Sequence, residues 1–137
     1  MDRRFPKVGV AAFVVKGDKV LLNRRSGSHG NGTWSIGGGH LEFGEEPEDC
    51  ARREIMEEMG INVKNLKFIG VTNDIFKNEG KHYVTIFYKC EFASGRLKTP
   101  DREFSKRWKW VTWREARKKR LFLPINNLID MGIDPTK

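Results

Sequence analysis

A chain of 137 residues, 38% of them hydrophobic, with a formal charge of +8, is long enough for one core and too short for two, so a single domain over residues 1–137 is expected. The longest apolar runs, Val8 to Val15 and Phe122 to Ile125, fall well short of the roughly 20 residues of a membrane helix, and neither follows a secretory pattern; a cytosolic protein is expected. Cys50 and Cys90 have no C-x-x-C spacing, which argues against a disulfide framework or a zinc site and for two buried thiols.

Val8 to Val15 and Lys19 to Arg24 read as two strands joined in a hairpin at Lys16-Gly17-Asp18. A loop with seven glycines follows between Gly27 and Gly44, with Trp34 and Ile36 anchoring a short strand inside it; such a loop lets backbone approach a ligand closely. Glu45-Glu46-Pro47-Glu48-Asp49 opens a helix, with Pro47 suited to its first turn and the acids favoured by the dipole there. Gly60 is its natural stop. Leu66 to Phe76, Tyr83 to Phe92 and Lys106 to Val111 read as further strands. Thr112-Trp113-Arg114-Glu115 has capping-box spacing and opens a short basic helix, with Arg117 to Arg120 as its solvated face. Trp108, Trp110 and Trp113 read as core and sheet packing.

The charge is unevenly placed. Residues 37–61 hold eight acids against Arg52 and Arg53, a local balance of −6 that leaves +14 on the remainder. Such a pole in a basic field suits a cation-loaded site that attracts an anionic substrate. On the helix ending at Gly60, Glu54, Glu57 and Glu58 stand at i, i+3 and i+4 and project from one face, beside an apolar stripe of Ala51, Ile55 and Met59. Like charges at these spacings cost roughly 0.2–0.5 kcal/mol per pair, and anions at a helix C-terminus a further 0.3–1 kcal/mol or so each. A hard divalent cation such as Mg²⁺ or Mn²⁺ would offset that cost.

The spacing of the whole segment is more specific. Gly39, five residues, Glu45, seven residues, Arg53-Glu54-Ile55, one residue, Glu57-Glu58, one residue, Gly60-Ile61 meets every fixed position of the Nudix box over residues 39–61, and the chain resembles the Nudix (MutT-like) hydrolases. The resemblance implies an α/β (α+β) Nudix fold, a mixed β-sheet between helices. It implies that Glu54, Glu57 and Glu58 bind catalytic Mg²⁺ or Mn²⁺ with the Gly39 carbonyl, that Glu45 and Arg53 pair to pin loop to helix, and that Glu54 lies nearest the attacking water as ligand or general base. Gly38 to Glu45, Val71 to Phe76 and His82 to Phe87 are similar to the small members cleaving nucleoside triphosphates, 8-oxo-dGTP among them, to a monophosphate and pyrophosphate. In that branch Arg25, His40 and Thr85 would approach phosphates or base, and Leu121 to Ile125, with Phe122 and Leu123, would close over the base.

Three positions depart from the branch. Gly37 replaces the usual proline, which should loosen the loop. Leu123 replaces a tryptophan and removes a stacking ring. Lys106 replaces an acid, for which Glu103 is a candidate substitute. His29 and His82 are left as polar loop or strand-end residues. The expected partner is a nucleotide-like small molecule, with a homodimer implied by the resemblance and no stable nucleic-acid or membrane binding. Two alternatives stay open: a Nudix hydrolase of another diphosphate (nucleotide sugar, dinucleoside polyphosphate or isoprenoid diphosphate), and a catalytically silent nucleotide- or RNA-binding module.

Overall fold

The computed structural model describes residues 4–27, 29–98 and 107–137. Lys106 and Glu103 lie outside the described residues. The chain opens with β1 (Lys7–Lys16) and β2 (Lys19–Arg24), joined by a turn at Gly17 whose φ of 62° suits glycine. β3 (Trp34–Ser35) and β4 (Gly37–His40) precede α1 (Pro47–Met59). Two long strands follow, β5 (Ile61–Phe76) and β6 (Lys81–Gly95), then β7 (Lys109–Thr112), α2 (Trp113–Ala116) and α3 (Leu123–Asp130). The sheet runs β3-β2-β1-β6-β5, with β4 also on β1 and β7 also on β2. β1 and β6 are parallel and the other pairings antiparallel, so the sheet is mixed.

Alternation along β1 divides the core in two. Val10, Ala12 and Val14 pack with Ala51, Ile55 and Met59 of α1, the stripe read from the helical period, and with Cys50 beside it. Phe13 turns to the other layer, edge-on to Trp113 at 5.6 Å between ring centres and clustered with Ala116, Ile125 and Leu128. The sheet therefore lies between α1 on one side and α2 with α3 on the other, the expected Nudix arrangement. Among the described residues no helix is long and apolar enough to cross a membrane.

Three elements differ from the sequence reading. Gly37 to Gly39 form a strand rather than loop, because β1 supplies backbone partners from Gly9↔His40 to Ala12↔Gly37. Gly37 accordingly is not loosened; it is buried, and Met59 and Ile55 occupy the space a side chain would need. α2 has only four residues, so Arg117 to Lys119 follow it in a turn and not on a helical face; the Lys119 ammonium sits 4.4 Å from the Trp34 ring centre. Thr112 does cap α2, its hydroxyl accepting from the Glu115 N–H at 3.1 Å. Leu123 opens an unforeseen helix, since Pro124 suits a first turn and Ile125 and Leu128 bury its apolar side.

Candidate active site

α1 forms where the sequence places it. Pro47 sits in its first turn with Glu48 and Asp49, and Gly60 ends it at φ 77°, donating its N–H to the Met56 carbonyl at 3.0 Å. Burial of the Ala51–Ile55–Met59 stripe fixes the rotation of the helix, which brings Glu54 and Glu58 over β4. Only glycine fits beneath them: a Cβ on Gly39 would overlap the Glu54 carboxylate, and one on Gly38 would strike the Val10 carbonyl oxygen. The Gly38 N–H points to Glu58 Oε1 at 3.4 Å. Burial pushes the Glu58 carboxyl up to about 7, with the adjacent Glu54 charge adding to the rise and the Gly38 N–H opposing it.

Arg53 organises the carboxylates around this strand. Its Nε donates to Glu45 Oε2 at 2.8 Å and one terminal nitrogen to Glu45 Oε1 at 3.0 Å, a two-pronged pair. The other terminal nitrogen reaches Glu54 Oε1 at 2.7 Å and Glu57 Oε1 at 3.5 Å. The His40 carbonyl accepts a further bond at 3.3 Å, which ties β4 to the helix. Glu54 is thereby held in place with its side chain 15% exposed, whereas Glu57 is 59% exposed and turned toward Arg53.

The hydrogen bonds of Arg53 hold the Glu45 carboxyl down at about 2 from an ordinary 4.5. A carboxylate depressed on folding stabilises fully above its unfolded pKa and loses that contribution as pH falls through its folded value. Glu45→Gln should therefore lower Tm at neutral pH, and the gap to the parent protein should close as pH falls from about 4.5 toward 2; an equal gap at every pH in a thermal scan would show that the pair carries no linkage.

Among the described residues no three His, Cys, Asp or Glu side chains converge to cage an ion. Mg²⁺ is usually held by one or two carboxylates together with substrate phosphates and water, so a caged site is not required. The neighbouring Glu54 and Glu58, and the cradle that the missing Gly39 side chain leaves beside Glu54, fit such a partly filled site. Glu57 is more exposed and shares an Arg53 terminal nitrogen with Glu54. Both cysteines are buried, and burial pushes their thiols up to about 12, which leaves them unreactive.

Two cavities flank these carboxylates. The first, about 140 Å³, is an aromatic pocket reaching Gly38 and Gly39. His40 stacks on Tyr83 at 5.5 Å and reaches its hydroxyl at 3.1 Å; His29 stacks on the same tyrosine and meets Phe76 and Phe122. The Arg25 guanidinium lies 4.0 Å from the Phe122 ring centre and donates to the His29 carbonyl at 3.1 Å; burial lowers its pKa. Pro124 and Ile125 line the pocket and Leu123 does not. Thr85 also lines it, but its hydroxyl proton is committed to buried Asp74 at 2.6 Å, an acid that accepts from Thr72 and Asn127 as well. The second cavity is an open cleft of about 620 Å³ that includes Glu58, Arg24, Lys98 and Trp108. Arg25 and Gly38 line both.

The sequence reading missed His29, Phe76, Tyr83 and Glu79. Glu79 bonds His29 Nδ1 at 2.5 Å and accepts the Gly30 N–H at 3.1 Å, closing the pocket rim from the β5–β6 turn. Nothing in their spacing announces this, because the four come from two segments about 50 positions apart. The aromatic pair Phe76 and Tyr83 flanking a short turn was the one available signal.

Residues 5–130 match the NUDIX domain. Over 101 residues the chain is 36% identical to a MutT-like protein of Streptomyces ambofaciens, covering 74% of this chain and 62% of that one. It is 28% identical over 132 residues to an ADP-ribose pyrophosphatase of Methanocaldococcus jannaschii (96% and 70%), and 41% identical over 97 residues to the NAD-capped RNA hydrolase NudC of Pseudomonas syringae pv. tomato (69% and 33%). It thus spans under two thirds of the first of these relatives and a third of the last. A NUDIX hydrolase from Nitrosomonas europaea superposes with a TM-score of 0.74 at 26% identity, covering 93% of this chain and 89% of that one. The box spacing, the layered fold and a match over nearly the whole length converge on one assignment: the chain belongs to the NUDIX domain family.

Proposed function

We propose that this chain hydrolyses, with a divalent metal ion, the pyrophosphate linkage of a nucleoside diphosphate carrying a second group on its far phosphate. The observation that carries the substrate class is the pair of cavities meeting at Arg25 and Gly38. A pyrophosphate at that junction would leave a nucleoside in the aromatic pocket and room for another organic group beside Glu58 and Trp108. A nucleoside triphosphate has only phosphates at that end, and relatives acting on ADP-ribose and NAD-capped RNA favour the two-ended substrate. Cleavage of 8-oxo-dGTP and other triphosphates, implied by the branch resemblance, is the competing reading; the cations Arg24 and Lys98 in the open cleft favour it.

Glu54, Glu58 and the Gly39 carbonyl would hold Mg²⁺ or Mn²⁺, with Glu57 joining if it leaves Arg53. The ion, when bound, neutralises phosphate charge and acidifies a bound water. Arg53 orients the Glu54 carboxylate through its 2.7 Å bond, which suits it to take a proton from the attacking water. Arg25 lends positive charge to the phosphates, and the rings of His29, Tyr83 and Phe122 position the base by stacking.

The test is kcat/KM with Mg²⁺ and with Mn²⁺ for ADP-ribose, NAD, a dinucleoside polyphosphate, an isoprenoid diphosphate, and ordinary and oxidised triphosphates. ADP-ribose or NAD should exceed every triphosphate by about tenfold or more, and a chelator should abolish turnover. A triphosphate in first place would overturn the two-ended class and leave the chemistry standing. No turnover of any compound with either metal would remove the hydrolase reading in favour of a silent binding module.

A further inference from the structure

Beyond the two cavities lies a larger open groove of about 800 Å³, and its described lining includes no residue of 37–61. Five cations line it: Lys16 at the end of β1, Lys64 and Lys67 on β5, Lys89 on β6 and Arg96 just beyond. Glu91 is the one acid among its described lining residues, and its carboxylate already accepts a bond from Asn65. The Lys89 ammonium donates to the Lys137 carbonyl at 2.6 Å, and that of Lys16 lies 5.9 Å from the Trp110 ring centre. Lys64, Lys67 and Arg96 are exposed. Part of the +14 outside the Nudix box is therefore gathered in one concavity.

Two aromatic residues, Trp110 and the 43% exposed Phe92, line the same groove. Trp110 and Arg96 line the groove, while Trp108 and Lys98, two positions from them in the chain, line the cleft beside Glu58.

We propose that this groove binds single-stranded nucleic acid, its phosphates against the lysines and Arg96 and its bases against Phe92 and Trp110. Cationic grooves that track a backbone, interrupted by rings on which any base stacks, recognise single strands without sequence preference. A duplex keeps its base faces covered and would leave both rings unused. An acidic peptide would satisfy the charges and leave the rings without a planar partner. This goes beyond the hydrolytic reading and contradicts the expectation of no stable nucleic-acid binding, since the split of charge between residues 37–61 and the remainder does not locate a groove.

The experiment is fluorescence anisotropy of the full chain, with chelator present, on a labelled single-stranded RNA of about 12 nucleotides, a duplex of the same length, inorganic polyphosphate and polyglutamate. The single strand should bind tightest and weaken about 10- to 50-fold between roughly 50 and 200 mM salt, as expected for a handful of phosphate contacts. Lys64→Glu/Lys67→Glu/Arg96→Glu should weaken it by about tenfold or more, whereas the same charge change at exposed Arg114, Arg117 and Lys118 should cost less than about threefold. Phe92→Ala should weaken RNA by about fivefold or more and leave polyphosphate unchanged. The proposal is overturned if the groove triple variant binds RNA as the parent does, if polyphosphate, polyglutamate or duplex binds as tightly, or if Phe92→Ala has no effect. Hydrolysis of the best small substrate, measured on the same folded variants, should stay within about twofold, so a failure here is separate from a failure of the hydrolytic reading.

Discussion

Glu58→Gln is expected to lower kcat/KM on the best diphosphate substrate by on the order of 10²–10⁴-fold while the protein stays folded. The amide keeps the shape of the side chain and an oxygen for the Gly38 N–H, so β4 and α1 should remain in register. What disappears is the negative charge, which is already costly because the carboxyl is buried beside Glu54. Tm should accordingly hold or rise, a sign opposite to that of a merely structural defect. Mg²⁺ at saturating concentration should raise the Tm of the parent and not of the variant, since ligand binding stabilises only a protein that retains the site. Glu57→Gln, on the exposed side chain drawn toward Arg53, should cost about tenfold or less. Activity of Glu58→Gln within tenfold of the parent would remove Glu58 from the chemistry.

That contrast between Glu57 and Glu58 was not legible in the sequence. Helical spacing puts Glu54, Glu57 and Glu58 on one face and treats them alike; Arg53, one turn before Glu57, separates them by drawing that side chain toward its own guanidinium. The helix itself was readable to within a residue or two, because Pro47 and Gly60 are local signals and Ala51, Ile55 and Met59 declare the buried side. The Glu45 and Arg53 pairing was readable only through the family spacing, since eight positions across a loop and a helix start define no periodicity. Gly37 to Gly39 were misread because glycine has little preference for strands, and the decision came from β1, nearly 30 positions earlier in the chain.

The substrate pocket was the least legible part. Arg25, His40, Thr85 and Phe122 were named through resemblance and do line it, but Leu123 does not. The pocket takes its character from His29, Phe76, Tyr83 and Phe122, which the order of strands brings together. Thr85 illustrates a second limit: its position is right, yet buried Asp74 takes its hydroxyl proton and leaves only an acceptor oxygen for a ligand. The basic groove is a further case, since five cations from distant strands look like ordinary surface charge until topology collects them.

Gly39→Ala is the second large effect expected, on the order of 10²-fold in kcat/KM with a folded protein. One added methyl overlaps the carbon and both oxygens of the Glu54 carboxylate, and these are the far end of a flexible side chain rather than backbone. Moving that carboxylate by about an ångström would break its 2.7 Å bond with Arg53 and misplace the group proposed to face the attacking water. The fold should survive because Gly39 has no left-handed φ and the obstacle is not backbone. Gly38→Ala supplies the contrast: its Cβ strikes the Val10 carbonyl oxygen and the Ala11 Cα, atoms of the central strand that have nowhere to go. It should therefore lose stability together with activity, visible as a Tm several degrees lower, on the scale of about 1–3 kcal/mol for overpacking. If Gly39→Ala unfolds like its neighbour, its effect is structural and says nothing of Glu54. If it stays folded and fully active, Glu54 does not need the position that Gly39 leaves open, and the role assigned to that carboxylate fails.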